Sequence, residues 1–206
     1  MSTLDRSQHW ETVYETKGER EVSWFQETPA ISLALIRSTG VAPRSPIIDI
    51  GAGASRLVDA LLAQGYEALT VLDLSESALA AVKQRLGTAA AKVTWIVADV
   101  VGWKPPQTYE LWHDRAAFHF LTEASDRSAY VATLRAALPS GGHAVIATFA
   151  LDGPERCSGL PVVRYDAASL AATLGDDFEL VETRPHDHLT PGGSLQRFQF
   201  SVFRRR

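Results

Sequence analysis

Four acidic side chains stand at or just beyond short apolar runs: Asp49 within Ile47-Ile48-Asp49-Ile50, Asp73 after Val71-Leu72, Asp99 after Val97-Ala98, and Asp114 after Trp112-His113. The first run leads straight into Gly51-Ala52-Gly53-Ala54-Ser55. Two glycines there permit a tight turn and let a ligand approach the backbone where a Cβ would stand in the way. A carboxylate at the position of Asp73 can accept hydrogen bonds from both hydroxyls of a ribose. One at Asp99 can accept from an exocyclic adenine amine, while the N–H of Val100 donates to a ring nitrogen. Each of these residues alone would pass for a helix cap or a strand-end residue. Together, at the ends of consecutive strands, they describe a nucleoside site.

Regular elements must hold these groups in place. Thr28-Pro29 opens a helix with Thr28 as N-cap and Pro29 in the first position, and Ile31, Leu35 and Ile36 give it a buried stripe before Gly40. From Ile47 the chain alternates: strand to Ile50, helix from Ser55 to Gln64, strand from Ala68 to Leu72, then a helix capped by Ser75 and ended by Gly87. Strands follow at Val93 to Val97, Tyr109 to His113 and His143 to Phe149, with a helix from Asp126 to Leu138 before the last. Such alternation implies parallel βαβ units in a doubly wound α/β sheet. The end differs. After a helix from Asp166 to Leu174, Phe178 to Thr183 and Leu195 to Phe203 read as strands joined by a turn-forming His186 to Gly193. A hairpin there makes the last strand antiparallel in a mostly parallel, seven-stranded sheet.

The chain has 206 residues, enough for one domain with helices on both faces of its sheet, and no repeat or linker divides it. A net charge of −4 gives no electrostatic footprint for nucleic acid or an anionic membrane. No apolar run approaches the roughly 20 residues that span a bilayer, and the first ten residues lack an apolar signal core. Cys157, the single cysteine, permits neither an intrachain disulfide nor a thiolate cage, and fits a reducing, cytoplasmic setting. His186 and His188 lack a third ligand, so no metal site is expected.

The segments Ile47 to Gly53, Val71 to Ser75 and Val97 to Val100 resemble the three cofactor motifs of the class I, Rossmann-like methyltransferases that use S-adenosylmethionine (SAM). The resemblance runs from about Ser45 to Phe149, and the terminal hairpin extends it. It implies that Gly51, Ala52 and Gly53 meet the methionine part, that Asp73 with Leu74 holds the ribose, and that Asp99 with Val100 holds the adenine. Asp49 would support the loop or the methionine amine. Ser55, where a glycine is common, is a departure that bears on the loop. Trp10 to Tyr14, Val22 to Gln26 and His113 to Leu121 are similar to a bacterial branch that includes thiopurine and tellurite-resistance enzymes, and also to methyltransferases of lysines on elongation factors and citrate synthase.

Asp114 is expected beside the donor methyl, touching the methionine group or orienting an acceptor amine; the alternative is pairing with Arg115. His119 is a candidate base or acceptor contact, the alternative being a packed histidine between Phe118 and Phe120. Trp24, with Trp10, Tyr14 and Phe25, is expected to cover the sulfonium, whose charge suits aromatic faces. Residues 1–26 and the loop from Asp152 to Tyr165 would then close over the acceptor, residues 45–149 would form the cofactor core, and residues 150–206 would add the substrate-side loop, helix and hairpin. A small acceptor is favoured over a protein lysine, and a monomer or weak dimer over a larger assembly. A nicotinamide-dependent oxidoreductase shares the turn and the ribose acid but requires a third glycine, which this turn lacks. A SAM-binding protein without turnover is the remaining alternative.

Overall fold

A computed structural model describes residues 3–206. Its strands are β1 (Ile47–Ile50), β2 (Leu69–Asp73), β3 (Val93–Val97), β4 (Leu111–Arg115), β5 (His143–Phe149), the two-residue β6 (Arg156–Cys157) and β7 (Leu160–Pro161), β8 (Phe178–Leu189) and β9 (Leu195–Arg205). Its helices are α1 (Thr3–Thr16), α2 (Ala30–Ser38), α3 (Leu57–Ala63), α4 (Glu76–Leu86), α5 (Ala124–Ala137) and α6 (Ala167–Leu174).

Seven strands form one sheet in the order β3-β2-β1-β4-β5-β9-β8. β1 pairs in parallel with β2 and β4, β2 with β3, and β4 with β5. β9 inserts antiparallel between β5 and its hairpin partner β8, as the sequence pattern implies. The order reverses at β1, so the carboxyl ends of β1 and its neighbours part to leave a crevice.

Buried side chains lie on both faces. On one, Ile47, Leu111, Val145 and Phe200 pack with Leu35 and Ile36 of α2 and Leu57 and Leu61 of α3. On the other, Ile48, Trp112, Ala144 and Ile146 meet Tyr130 and Leu134 of α5 and Leu170 and Leu174 of α6. Successive side chains of a strand point to opposite faces, so odd-numbered β4 residues face α2 and α3 while even-numbered ones face α5. This parity decides which β4 side chains can reach the crevice.

Several boundaries move. Pro29 itself occupies the N-cap of α2 and Thr28 makes no capping bond there. Ser75 caps α4 by accepting from Ala78 N–H, and Asp166 forms a reciprocal capping box with Ser169. β4 starts at Leu111 instead of Tyr109 and reaches Arg115, which places Asp114 inside the strand. β8 extends through His188 to Leu189, because backbone pairing with β9 continues past the residues whose composition suggests a turn. The largest addition is α1, which the polar opening of the sequence conceals.

Candidate active site

The turn after β1 depends on its glycines. Gly51 and Gly53 hold φ values of 59° and 54°, the left-handed region that L side chains avoid. A Cβ on Gly51 would overlap Ala117, and one on Gly53 would overlap the Tyr14 hydroxyl. The turn is thus packed between the end of β4 and helix α1.

Asp73 is buried at the end of β2. Its Oδ2 accepts from Gly53 N–H at 2.7 Å and its Oδ1 from Ser75 N–H at 2.8 Å. Each oxygen keeps a second acceptor direction. Burial pushes this carboxyl up to about 6, against the backbone donors that hold it down. Asp99 receives Val101 N–H at 3.0 Å and the Arg6 guanidinium at 2.7 Å. Arg6 also pairs with Asp126 at 2.6 Å.

Arg6, Trp10 and Tyr14 recur at every fourth position of α1 and all line the cavity. Glu11 accepts from Ser77 N–H at 3.1 Å and from the hydroxyls of Ser75 and Ser77, tying α1 to the start of α4. α1 therefore lies over Gly53, Ser75 and Asp99, the cofactor end of the crevice, whereas the sequence suggests a cover over the acceptor. Trp24 packs edge-on against Trp10, with centroids 5.8 Å apart, and Trp10 likewise meets Phe120 at 4.9 Å.

The cavity is lined by Asp49, Gly51, Ala52, Asp73, Leu74, Asp99, Val100 and Trp24, the expected cofactor residues apart from Gly53 and Asp114. Gly53 contributes its N–H to Asp73. From the loop 152–165 only Cys157 reaches the wall. Burial pushes its thiol up to about 11, so it stays neutral.

Asp114 and His119, expected at the donor methyl and the acceptor, lie outside the cavity lining. Asp114 lies in β4 with its side chain on the α5 face, fully buried and outside the cavity lining. Its oxygens accept from Ala117 N–H at 2.9 Å, Phe118 N–H at 3.1 Å and the Tyr130 hydroxyl at 2.7 Å. It does not pair with Arg115, and burial lifts it to about 6. His119 is also fully buried, against Phe120 and Phe149, and does not line the cavity. Burial and the nearby Arg115 charge pull it down to about 3, too low for a base at neutral pH.

The β4 residues that do reach the crevice are His113 and Arg115. His113 Nδ1 lies 2.7 Å from Asp49 Oδ1 and its Nε2 lies 2.9 Å from Ser32 Oγ, so both ring nitrogens are engaged. Ala116, next along, holds φ 69°, a strained conformation for a residue with a Cβ. His188 binds the carbonyl of Ser23 at 2.8 Å and sits on β8 instead of in a solvated loop.

The glycine turn, the strand-end acids and the sheet order give a doubly wound α/β fold with a crevice at its switch point. Residues 47–142 match the family model described as a methyltransferase domain. This chain has the matched segment running from β1 to the turn before β5. It is similar in fold to a SAM-dependent methyltransferase from Anabaena variabilis, at 16% identity and TM-score 0.77, covering 99% of this chain and 95% of that one. It is also similar to the Burkholderia thailandensis 1,6-didemethyltoxoflavin-N1-methyltransferase, at 21% identity and TM-score 0.76, covering 100% and 91%. A 77-residue stretch is 30% identical to the eEF1A lysine and N-terminal methyltransferase of Danio rerio, covering 37% of this chain and only 11% of that protein.

Proposed function

We propose that this chain transfers the methyl group of SAM to a small organic acceptor. The residues present fit the cofactor: Gly51 and Ala52 line the crevice beside Asp49, and Asp73 retains acceptor capacity for a ribose. Asp49, Gly51, Ala52 and Gly53 would flank the methionine part, Asp73 and Leu74 the ribose, and Asp99 and Val100 the adenine. Adenine has to share Asp99 with Arg6 or displace it. SAM supplies an activated methyl on a sulfonium, so the protein's tasks are alignment of the acceptor and exclusion of water. The aromatic cluster of Trp10, Trp24 and Phe120 supplies apolar walls for both.

The aromatic closure of the crevice carries the choice of a small acceptor. Trp10 packs against both Trp24 and Phe120, and all three line the cavity, so side chains from three separate segments narrow the reaction chamber. Such a chamber favours a molecule that enters whole over a side chain on a docked protein. The toxoflavin-type enzyme of similar fold acts on a small heterocycle, which supports the same reading. A protein lysine acceptor is the second reading, favoured by the short match to the eEF1A methyltransferase.

Calorimetry and isotope transfer test both. The protein should bind S-adenosylhomocysteine (SAH) at micromolar strength and ignore NAD. Methyl-labelled SAM, incubated with a cell extract split into small-molecule and protein fractions, should label the small molecules. Label confined to protein lysines would establish the second reading.

A further inference from the structure

We propose that Arg115 anchors a carboxylate on the methyl acceptor, so that the substrate is a small organic acid with a flat apolar body. This rests on the methyltransferase reading and deepens it.

Arg115 lies on the same face of the sheet as Asp49 and His113 and lines the cavity toward β5 and β9. Its Nη1 donates to the Trp24 carbonyl at 2.9 Å, and its guanidinium stacks on Phe198 at 5.0 Å. Nε and Nη2 are buried and have no hydrogen-bond partner among the described residues. These two nitrogens form one edge of the guanidinium, the edge whose parallel N–H bonds match the two oxygens of a carboxylate.

The other arginines around the crevice have carboxylates assigned to them. Arg6 pairs with Asp99 and Asp126, Arg56 with Glu19 and Glu27, and Arg85 with Glu19 and Asp59. No carboxylate among the described residues lies within ion-pair distance of Arg115. The neighbouring Cys157 is a neutral thiol. Burial pulls Arg115 down to about 10, so it remains cationic at neutral pH. A part-buried guanidinium without an ion-pair partner is costly to hold, and an anion arriving from outside relieves that cost. The Trp10, Trp24, Phe25 and Phe120 side chains on the same wall suit a flat apolar body. No carboxylate or neutral histidine stands free here as a base, and an anionic acceptor suits a site whose cofactor is itself cationic.

The test uses the full chain saturated with SAH, with benzoate and benzamide as matched calorimetric probes. Benzoate should bind at least tenfold tighter than benzamide. Arg115→Met should abolish that preference, a loss of roughly 30-fold or more for the acid if the pair is desolvated, while SAH affinity stays within threefold. Arg115→Lys keeps the charge without the fork and should keep part of the preference; it replaces the methionine variant if that one fails to bind SAH. Equal binding of acid and amide, or a preference that survives in Arg115→Met, overturns the proposal. A second arm separates a small-molecule extract on an anion exchanger before incubation with methyl-labelled SAM. Label should arise from the retained, anionic pool. Label arising only from the unretained pool refutes the anchor but leaves the methyltransferase reading intact, whereas absence of SAH binding by the unaltered protein defeats both.

Discussion

Replacing Tyr130 with Phe distinguishes a structural Asp114 from a catalytic one. The ring would keep its packing against Phe118 and Trp112, with centroids 4.7 and 5.5 Å away, so only the hydroxyl is lost. That hydroxyl accepts from Trp112 Nε1 at 2.8 Å and donates to Asp114 Oδ2 at 2.7 Å. Loss of a bond to a charged group costs about 1.5–3 kcal/mol, and a buried Trp112 N–H without a partner about 1–3 kcal/mol. Tyr130→Phe should therefore lose about 3–5 kcal/mol in urea unfolding with an unchanged m-value. At roughly 2–4 °C per kcal/mol for a chain of this size, the melting point should fall on the order of 10 °C. The pH dependence has a definite sign. Burial raises Asp114 to about 6 in the folded state, so its contribution to stability is present below its unfolded value and lost as pH rises through the folded one. The Tyr130 bond opposes that rise, hence its removal should cost more at pH 8 than at pH 5. SAH affinity should not move. A stability loss below about 1 kcal/mol together with a large drop in turnover would refute the reasoning and return Asp114 to the chemistry.

Asp73→Ala should weaken SAH binding by about 1–3 kcal/mol, since the ribose loses its acceptor; in the unaltered protein SAH affinity should fall as pH drops below about 6, where Asp73 takes up a proton. Constant affinity between pH 7 and 5 would exclude an ionised Asp73 from binding. Gly53→Ala should displace α1 and weaken SAH binding through both backbone strain and overlap with the Tyr14 hydroxyl, and the added change Tyr14→Phe should restore part of the loss. Full activity in the single variant would show that the turn tolerates a Cβ. Removal of residues 1–17 should lower SAH affinity as well as turnover, because Arg6, Glu11 and Tyr14 lie over Asp99, Ser75 and Gly53; an unchanged calorimetric isotherm would sever α1 from the cofactor site.

Local patterns in the sequence suffice for much of this molecule. The buried runs of β1, β2 and β5, the cap at Ser75, the glycine turn and the acids at Asp73 and Asp99 each carry a signal within a few residues, because backbone conformation and strand burial impose local residue choices. The antiparallel β9 follows from a strand–turn–strand pattern with no helix between. Tertiary structure decided what depends on parity and on distant partners. β4 runs through Asp114 to Arg115, and the alternation of its side chains makes Asp114 a core acceptor for Tyr130 while His113 and Arg115 face the crevice. α1 carries a thin apolar stripe, and its main anchors are polar bonds to Asp99, Ser75 and Ser77, partners far along the chain. The Arg6-Trp10-Tyr14 spacing was the one sequence signal for it. Hydrogen bonds and ion pairs between residues so distant leave no periodicity in the chain, so only the packed fold could show which side chains meet.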